Sequence, residues 1–378
     1  MNSISDIEKE ELKGKRVLLR AGLDVPLDAH GEVADLFRVR RAAESIVFLK
    51  ERGAKVIVLS HIGRDPKESN EPVFRALKRE LPLFFVPDIL GQAAKDAVAA
   101  MREGDVILLE NLRRDPGEAA NDEVFARALA AFGDIYVDDA FSVAHRAHAS
   151  IVGIPKFLPS YAGLLLSEEL VHLSFAREPQ SPSITILGGA KFETKAPLIS
   201  LLLERYDHVF VAGALANDVL KAQGYEVGIS LISKELPSKA VLEHSHFISP
   251  VDVTVESTDK QARVKGIQEV HKGDRIVDIG PDSVAKIAPL ISGAKHILWN
   301  GPTGLYEGGY TTYTHQIARL IAGAVEKGAL SAIGGGDTIA AIEESGVGEK
   351  NLGFLSTGGG AMLEYLLKGT LPGIEALG

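Results

Sequence analysis

One repeated pattern constrains this chain more than any other: a short run of Val, Ile and Leu, a break on turn residues, then a stretch with helical spacing. In the first half the runs are RVLLR (16–20), KVIVLSH (55–61), LFFVPD (83–88), DVILLEN (105–111) and DIYVDDAF (134–141). In the second they are SITILGG (183–189), HVFVAG (208–213), HFISP (246–250), RIVDIGP (275–281), HILWNG (296–301), LSAIGGG (330–336) and GFLSTGG (353–359). Segments such as Arg41–Leu49 and Asp122–Ala131 lie between them with helical spacing. A strand apolar on both faces has to be covered on both faces. Such strands alternating with helices build parallel sheets with helices above and below. At 378 residues the chain exceeds one comfortable core. The fold class expected is α/β, with two Rossmann-like domains, each a parallel sheet flanked by helices, joined by a linking helix.

The boundary is expected in IPKFLPSYAGLLLSEELVHLSFAREPQSPS, where Pro155 and Pro159 precede an apolar helical stretch and Pro179 and Pro182 follow it. Ala162–Ala176 reads as the linking helix. This places an N-terminal domain over 1–160, the interdomain helix over 161–177 and a C-terminal domain over 178–364. The tail 365–378 ends in the short apolar LPGIEALG and can pack back on either domain; composition does not decide which.

The chain has no Cys, which excludes disulfides, zinc thiolate sites and cysteine nucleophiles. A formal charge of −10 argues against nucleic acid or an anionic membrane as partner. The first residues, MNSISDIEKEELKGKR, are polar rather than a secretory signal, and no apolar run nears the roughly 20 residues that span a bilayer. A cytoplasmic monomer is the expectation.

In the first half, basic residues gather at strand ends. Arg20 ends one strand, and His61 and Arg64 follow the next. Arg113 and Arg114 follow a third, and His145, Arg146 and His148 a fourth. Arg38 opens the helix after the first strand. In an open parallel sheet all of these lie along the one edge where ligands bind. One Arg in a loop is usually a solvated charge. Several converging from separate loops repel one another and call for a polyanion, which the guanidinium fork binds in two places.

In the second half neither G-x-x-x-x-G-K-[ST] nor G-x-G-x-x-G occurs. Four Gly-rich turns instead follow strands: Gly188–Lys191, Gly301–Gly304, Gly334–Thr338 and Gly358–Gly360. Any one of them makes a tight strand-to-helix turn and nothing more. Four at strand ends, two carrying Lys or Asp, point to nucleotide phosphates on backbone amides and helix N-termini.

The segments themselves are more specific than their placement. KRVLLRAGLDVPL (15–27), LSHIGR (59–64), LLENLRRDPGEAANDEVFARALA (108–130) and VDDAFSVAHRAHAS (137–150) resemble the signatures of phosphoglycerate kinases. So do ILGGAKFETKAPLI (186–199), LWNGPTGLYE (298–307), AIGGGDTIAA (332–341) and STGGGAMLEYLLKGTLPGIEAL (356–377), in the family's order. The resemblance covers nearly the whole chain. It implies reversible, magnesium-dependent phosphoryl transfer between 1,3-bisphosphoglycerate and ADP, giving 3-phosphoglycerate and ATP. It implies a substrate site made of Leu23, Asp24, Arg38, His61, Ile62, Gly63, Arg64, Arg113 and Arg146. Arg38, Lys191 and the amides of Gly358, Gly359 and Gly360 would serve catalysis. Lys195, Glu307, Gly335, Gly336, Asp337 and Thr338 would hold ATP or ADP, with Asp337 at Mg2+. His145 and His148 would support the patch. With acceptor and nucleotide on different domains, transfer also implies domain closure, with 155–180 as part of the hinge.

The chain departs from the family pattern at one signature. Arg-x-Asp-x-Asn-x-Pro is replaced by Arg20-Ala21-Gly22-Leu23-Asp24-Val25-Pro26. The Asp that would contact the substrate hydroxyl is absent, and Asp24 adds a negative charge beside a polyanion. Ser142 stands for a usual Gly, Asp138 for a usual Asn, Arg114 for an aromatic, and AGALAND (212–218) for a glycine-rich run. These changes suggest weaker or shifted substrate preference, and Gly22→Asp with Asp24→Asn is expected to lower KM for 3-phosphoglycerate. A divergent member that only binds phosphometabolites is the alternative. A Rossmann-type dehydrogenase is a second, disfavoured by the missing dinucleotide fingerprint.

Overall fold

The computed structural model describes residues 1–378. It divides into two compact units, Met1–Val171 with Thr370–Gly378, and His172–Gly369. The chain passes from the first to the second within the helix Leu164–Arg177.

The first unit is built on six parallel strands, β1 (Arg16–Ala21), β2 (Lys55–Leu59), β3 (Phe84–Val86), β4 (Val106–Leu109), β5 (Ile135–Asp139) and β6 (Ser160–Ala162). Their order is β3-β4-β2-β1-β5-β6. The central strand β1 sets Leu19 beside Val58 on one side and Val137 on the other. The helix Leu36–Glu51 buries Val39, Ala42, Ala43, Ile46 and Leu49, one face at helical spacing, in the core with Val17, Leu19, Val56 and Val58. Asp35 caps it by accepting from the Arg38 amide at 3.2 Å, which fixes where Arg38 begins its turn. The C-terminal helix Pro372–Ala376 belongs to this unit, and the Gly373 amide donates to the Ala144 carbonyl at 2.8 Å.

The second unit has nine strands: β7 (Ser183–Leu187), β8 (His208–Val211), β9 (Phe247–Ile248), β10 (Asp252–Glu256), β11 (Ala262–Gly266), β12 (Arg275–Ile279), β13 (His296–Asn300), β14 (Leu330–Gly334) and β15 (Phe354–Ser356). Six form a parallel sheet in the order β15-β14-β13-β7-β8-β9. The other three form a separate antiparallel sheet, β11-β10-β12.

Two details differ from the pattern read in the sequence. RIVDIGP is a strand, but β12 pairs antiparallel with β10, not within the parallel sheet. The third strand of that sheet, β11 beyond β10, carries a weak signal because it is largely exposed and antiparallel sheets tolerate one wet face. Ala162 is the last residue of β6, held by the Asn2 carbonyl at 2.9 Å, so the helix starts two residues later at Leu164.

Candidate functional site

In each unit the chemistry collects where the strand order reverses, at the carboxyl ends of the strands. In the first unit that place is the end of β1, flanked by β2 and β5. Arg20 is fully buried there. Its Nε donates to Ser150 Oγ at 2.9 Å, its Nη1 to the Ala21 carbonyl at 2.8 Å, and its Nη2 meets His61 Nδ1 at 2.7 Å. The Ser150 hydroxyl in turn donates to buried Glu118 at 2.6 Å, and its amide donates to the same carboxylate at 2.9 Å. The buried cation is thus compensated by a buried anion through one hydroxyl.

This network holds a positive surface in place. Burial, then Arg20, Arg113, His148 and Arg146, pushes His61 well below the usual histidine range. Burial and the same arginines push His148 down to about 4. Burial and Arg146 lower Arg113, while Asp24 acts in the opposite sense. Arg113 also donates to the Gly63 carbonyl. Arg38 reaches the cluster from its helix, with Nη1 on the Asp24 carbonyl at 3.0 Å and Nε 3.5 Å from Asp35. Arg146 and Arg64 are exposed, and Arg146 Nε lies 3.4 Å from His145 Nε2. Leu23 and Ile62 are buried, and their amides are already engaged, that of Leu23 by the Ala21 carbonyl at 3.1 Å and that of Ile62 by Asn111 Oδ1 at 3.3 Å. Cations that depress one another's proton affinity have too little negative charge among them, which suits a phosphate or carboxylate.

In the second unit the turns after β7, β8 and β13 meet backbone to backbone. A Cβ on Gly188 would lie 2.1 Å from the Pro302 carbonyl oxygen, and one on Gly213, at φ +60°, 2.7 Å from the Gly189 amide. Glycine is therefore required there by contact as well as by turn geometry. The turns enclose a largely apolar cavity of about 310 Å3, lined in part by Gly213, Ala214, Asn217, Leu231, Glu307 and Asp337. Glu307 sits in the short turn Tyr306–Gly308, and Asp337 opens the helix Gly336–Glu343. Tyr306 donates to Asp337 at 3.2 Å.

Polar groups ring this cavity. Lys195 lies in the helix Phe192–Arg205 and donates to the Gly188 carbonyl at 2.6 Å. Burial lowers its pKa to about 8, against the opposing pull of Asp337. Lys191, exposed at the head of the same helix, has a left-handed backbone at φ 66°. Thr338 is buried; its Oγ1 accepts from the Gly301 amide at 2.7 Å and donates to the Gly334 carbonyl at 2.9 Å, tying β13 to β14. Gly335 has φ +101°, and a Cβ on Gly359 would lie 3.2 Å from its Cα, so the turns after β14 and β15 also touch. Gly358 caps the helix Gly359–Lys368, which presents the amides of Gly359 and Gly360 at its first turn.

Sequence reasoning passed over several of these groups. Arg20 reads in sequence as one cation of the strand-end cluster, but neither its burial nor its link to Ser150, 130 positions away, and through it to Glu118, is legible there. Asn217 and Leu231 line the cavity from a segment read only as a departure, or not read at all. No group of three or more His, Cys, Asp or Glu side chains is placed to hold a metal ion, and no helix is long and apolar enough to cross a membrane.

Residues 4–369 match the family model for phosphoglycerate kinase. A phosphoglycerate kinase of Methylobacterium radiotolerans is 44% identical over 97% of this chain and 96% of its own length. That of Chloroflexus aurantiacus is 39% identical over 96% of each. Among solved structures, the phosphoglycerate kinase of Coxiella burnetii superposes with a TM-score of 0.82 at 35% identity, covering 99% of this chain and 98% of the other. The Pyrococcus horikoshii enzyme gives 0.87 at 27% identity, covering 100% and 98%.

Proposed function

The chain belongs to the phosphoglycerate kinase family, and from that premise we propose which residues carry its reaction and how. The reaction is reversible phosphoryl transfer between 1,3-bisphosphoglycerate and ADP, giving 3-phosphoglycerate and ATP, a phosphotransfer with a carboxyl acceptor. Its place is glycolysis and its reversal. No observation favours the binding-only alternative.

Read towards ATP consumption, the nucleophile is the acceptor's carboxylate, already ionised at neutral pH. No general base is needed. The protein must align two anions, exclude water and place positive charge around three equatorial oxygens. Arg38, His61, Arg64, Arg113 and Arg146, with the amide of Gly63, receive the phosphorylated acid, and buried Leu23 and Ile62 back that site. The apolar cavity takes the adenosine, with Glu307 on the ribose and Lys195, Gly335, Gly336 and Thr338 at the phosphates. Lys191, Arg38 and the amides of Gly358–Gly360 meet the phosphoryl group in flight.

Magnesium retains several waters and binds through one or two carboxylates together with substrate phosphates. One exposed carboxylate, Asp337, at the mouth of the cavity fits an ion that arrives with the nucleotide rather than one caged by protein. Asp337 would hold it, and the ion would neutralise charge on the phosphates.

The observation that carries this reading is the set of mutually repelling cations at the end of β1: His61 and His148 stay deprotonated beside Arg20, Arg113 and Arg146. Such a patch serves a multiply charged anion. A coupled assay with 3-phosphoglycerate and ATP should show turnover that requires magnesium. Absence of turnover by the folded chain would defeat the reading. The protein is expected to be a cytoplasmic monomer, without nucleic-acid or membrane partners.

A further inference from the structure

Gly22 lies directly beyond β1 and is buried among the groups that face the substrate. It has no side chain, yet the space over it is not empty. A Cβ built there would lie 3.3 Å from Ser142 Oγ, 3.5 Å from Ala140 Cα and 3.7 Å from the Asp139 carbonyl oxygen. The Ser142 hydroxyl would be in tight contact with the first atom of any side chain at 22. It comes from the turn Phe141–Val143 after β5, the strand next to β1.

That hydroxyl is committed. It donates to Asp24 Oδ1 at 2.7 Å. A carboxylate has no proton to return, so the direction of the bond is fixed. Asp24 is held a second time at its backbone, where its carbonyl accepts Arg38 Nη1 at 3.0 Å. The charge of Asp24 also reaches Arg113. The carboxylate thus lies within the field of Arg113, with Oδ1 engaged by Ser142 and Oδ2 left for another donor.

A carboxylate at that point repels an anionic substrate. It helps binding only if it receives a hydrogen bond that offsets the repulsion, and a hydrogen bond to a charged acceptor is among the stronger kinds. The donor on the substrate side is a hydroxyl adjacent to the acceptor carboxyl. We infer that Asp24, oriented by Ser142 across Gly22, reads the substrate hydroxyl, and that Ser142 is a positioning residue for acceptor specificity. The inference rests on the reading of the acceptor as 3-phosphoglycerate.

The pair also changes what a reversion must contain. Gly22→Asp with Asp24→Asn pushes a new Cβ against the Ser142 hydroxyl and removes its acceptor. The sequence-based expectation of a lower KM therefore applies to the triple change that includes Ser142→Gly, not to the double.

The test compares 3-phosphoglycerate with 3-phosphooxypropanoate, the same acid without its hydroxyl, as acceptors for ATP. Ser142→Ala is expected to lower kcat/KM for the hydroxy acid by roughly three- to tenfold relative to its effect on the deoxy acid, through KM rather than kcat, with KM for ATP unchanged. Asp24→Asn should lower the same ratio. Equal losses on both acceptors would make Ser142 merely structural and overturn the inference. So would tighter binding of both acceptors by Asp24→Asn, since Asp24 would then be only a counter-charge. Ser142→Thr keeps the hydroxyl and should restore most of the discrimination, which separates lost orientation from a damaged fold. A wild-type chain inactive on 3-phosphoglycerate defeats the functional reading itself; an active one whose variants do not discriminate defeats only this inference.

Discussion

Arg20 Nη2 lies 2.7 Å from His61 Nδ1, and both side chains are buried. A guanidinium has donors and no acceptor, so Nδ1 must offer its lone pair and the ring proton sits on Nε2. His61 is therefore a neutral donor within a positive patch, and protonation would set two cations against each other. An ordinary histidine is mostly protonated at pH 5.5. His61 should remain a single Nε2–H tautomer there, as read from imidazole 15N shifts in the folded chain. A doubly protonated His61 ring at pH 5.5 would contradict the geometry.

Two groups of the first unit pull stability in opposite directions with pH. Asp138 is fully buried with Oδ2 unpartnered, and burial raises its pKa to about 7. Between the ordinary aspartate range and pH 7 the folded chain keeps a proton that the unfolded chain gives up, so stability falls as pH rises. His148, held at about 4, does the reverse: below its ordinary range the unfolded chain takes up a proton and the folded one does not, so stability falls as pH falls. The two contributions oppose each other where their ranges overlap. Asp138→Asn should therefore make stability rise more steeply with pH, by up to about 1.4 kcal/mol per pH unit. His148→Gln should make it rise less steeply. Urea unfolding at several values between pH 4.5 and 7 reads both, and parallel profiles for wild type and Asp138→Asn would refute the assignment.

The glycines divide by what surrounds them. Gly188→Ala sets a methyl 2.1 Å from the Pro302 carbonyl oxygen and 2.5 Å from that of Gly301, both backbone atoms that cannot step aside. Gly323, inside the helix Thr312–Val325, has nothing within 4 Å of its would-be Cβ. Gly188→Ala should lose at least about 2–3 kcal/mol and most nucleotide affinity, as expected for overpacking. Gly323→Ala should gain up to about 1 kcal/mol from helix propensity. Thermal melts with and without ADP check the pair, and a well-folded Gly188→Ala variant that binds ADP normally would show that the turns are not in contact.

The parallel sheets were legible because strands covered on both faces leave an unbroken apolar signature, and the placement of Arg and Gly follows from where such strands end. Lys191, Asp337 and Glu307 sit on those turns for the same reason. The antiparallel sheet was not legible, since exposed β11 carries no such run. Nor was the pairing of Ser142 with Asp24, or of Arg20 with Ser150 and Glu118. Each joins residues roughly a hundred positions apart through one hydroxyl, and no local pattern encodes a bond between two turns. Gly22 reads in sequence as a lost side chain; in the folded chain the hydroxyl of another turn packs directly against that position.

Lys195 links nucleotide binding to protons. Burial lowers its pKa to about 8 while Asp337 pulls it upward. In the free protein near pH 8 it is only partly charged. Phosphates placed against it favour the charged form, so ADP binding should take up a fraction of a proton at pH 8 and less at pH 6.5. Affinity should then fall as pH rises through 8. Removing Asp337 withdraws the one group that raises this pKa, so in Asp337→Asn the fall should begin at lower pH. Lys195→Arg, charged at every accessible pH, should flatten the profile even if its fork fits less well. Calorimetric titration with ADP, without metal, in buffers of differing ionisation enthalpy measures proton uptake directly. A profile that falls through pH 8 as steeply in Lys195→Arg as in wild type would assign the titration to another group.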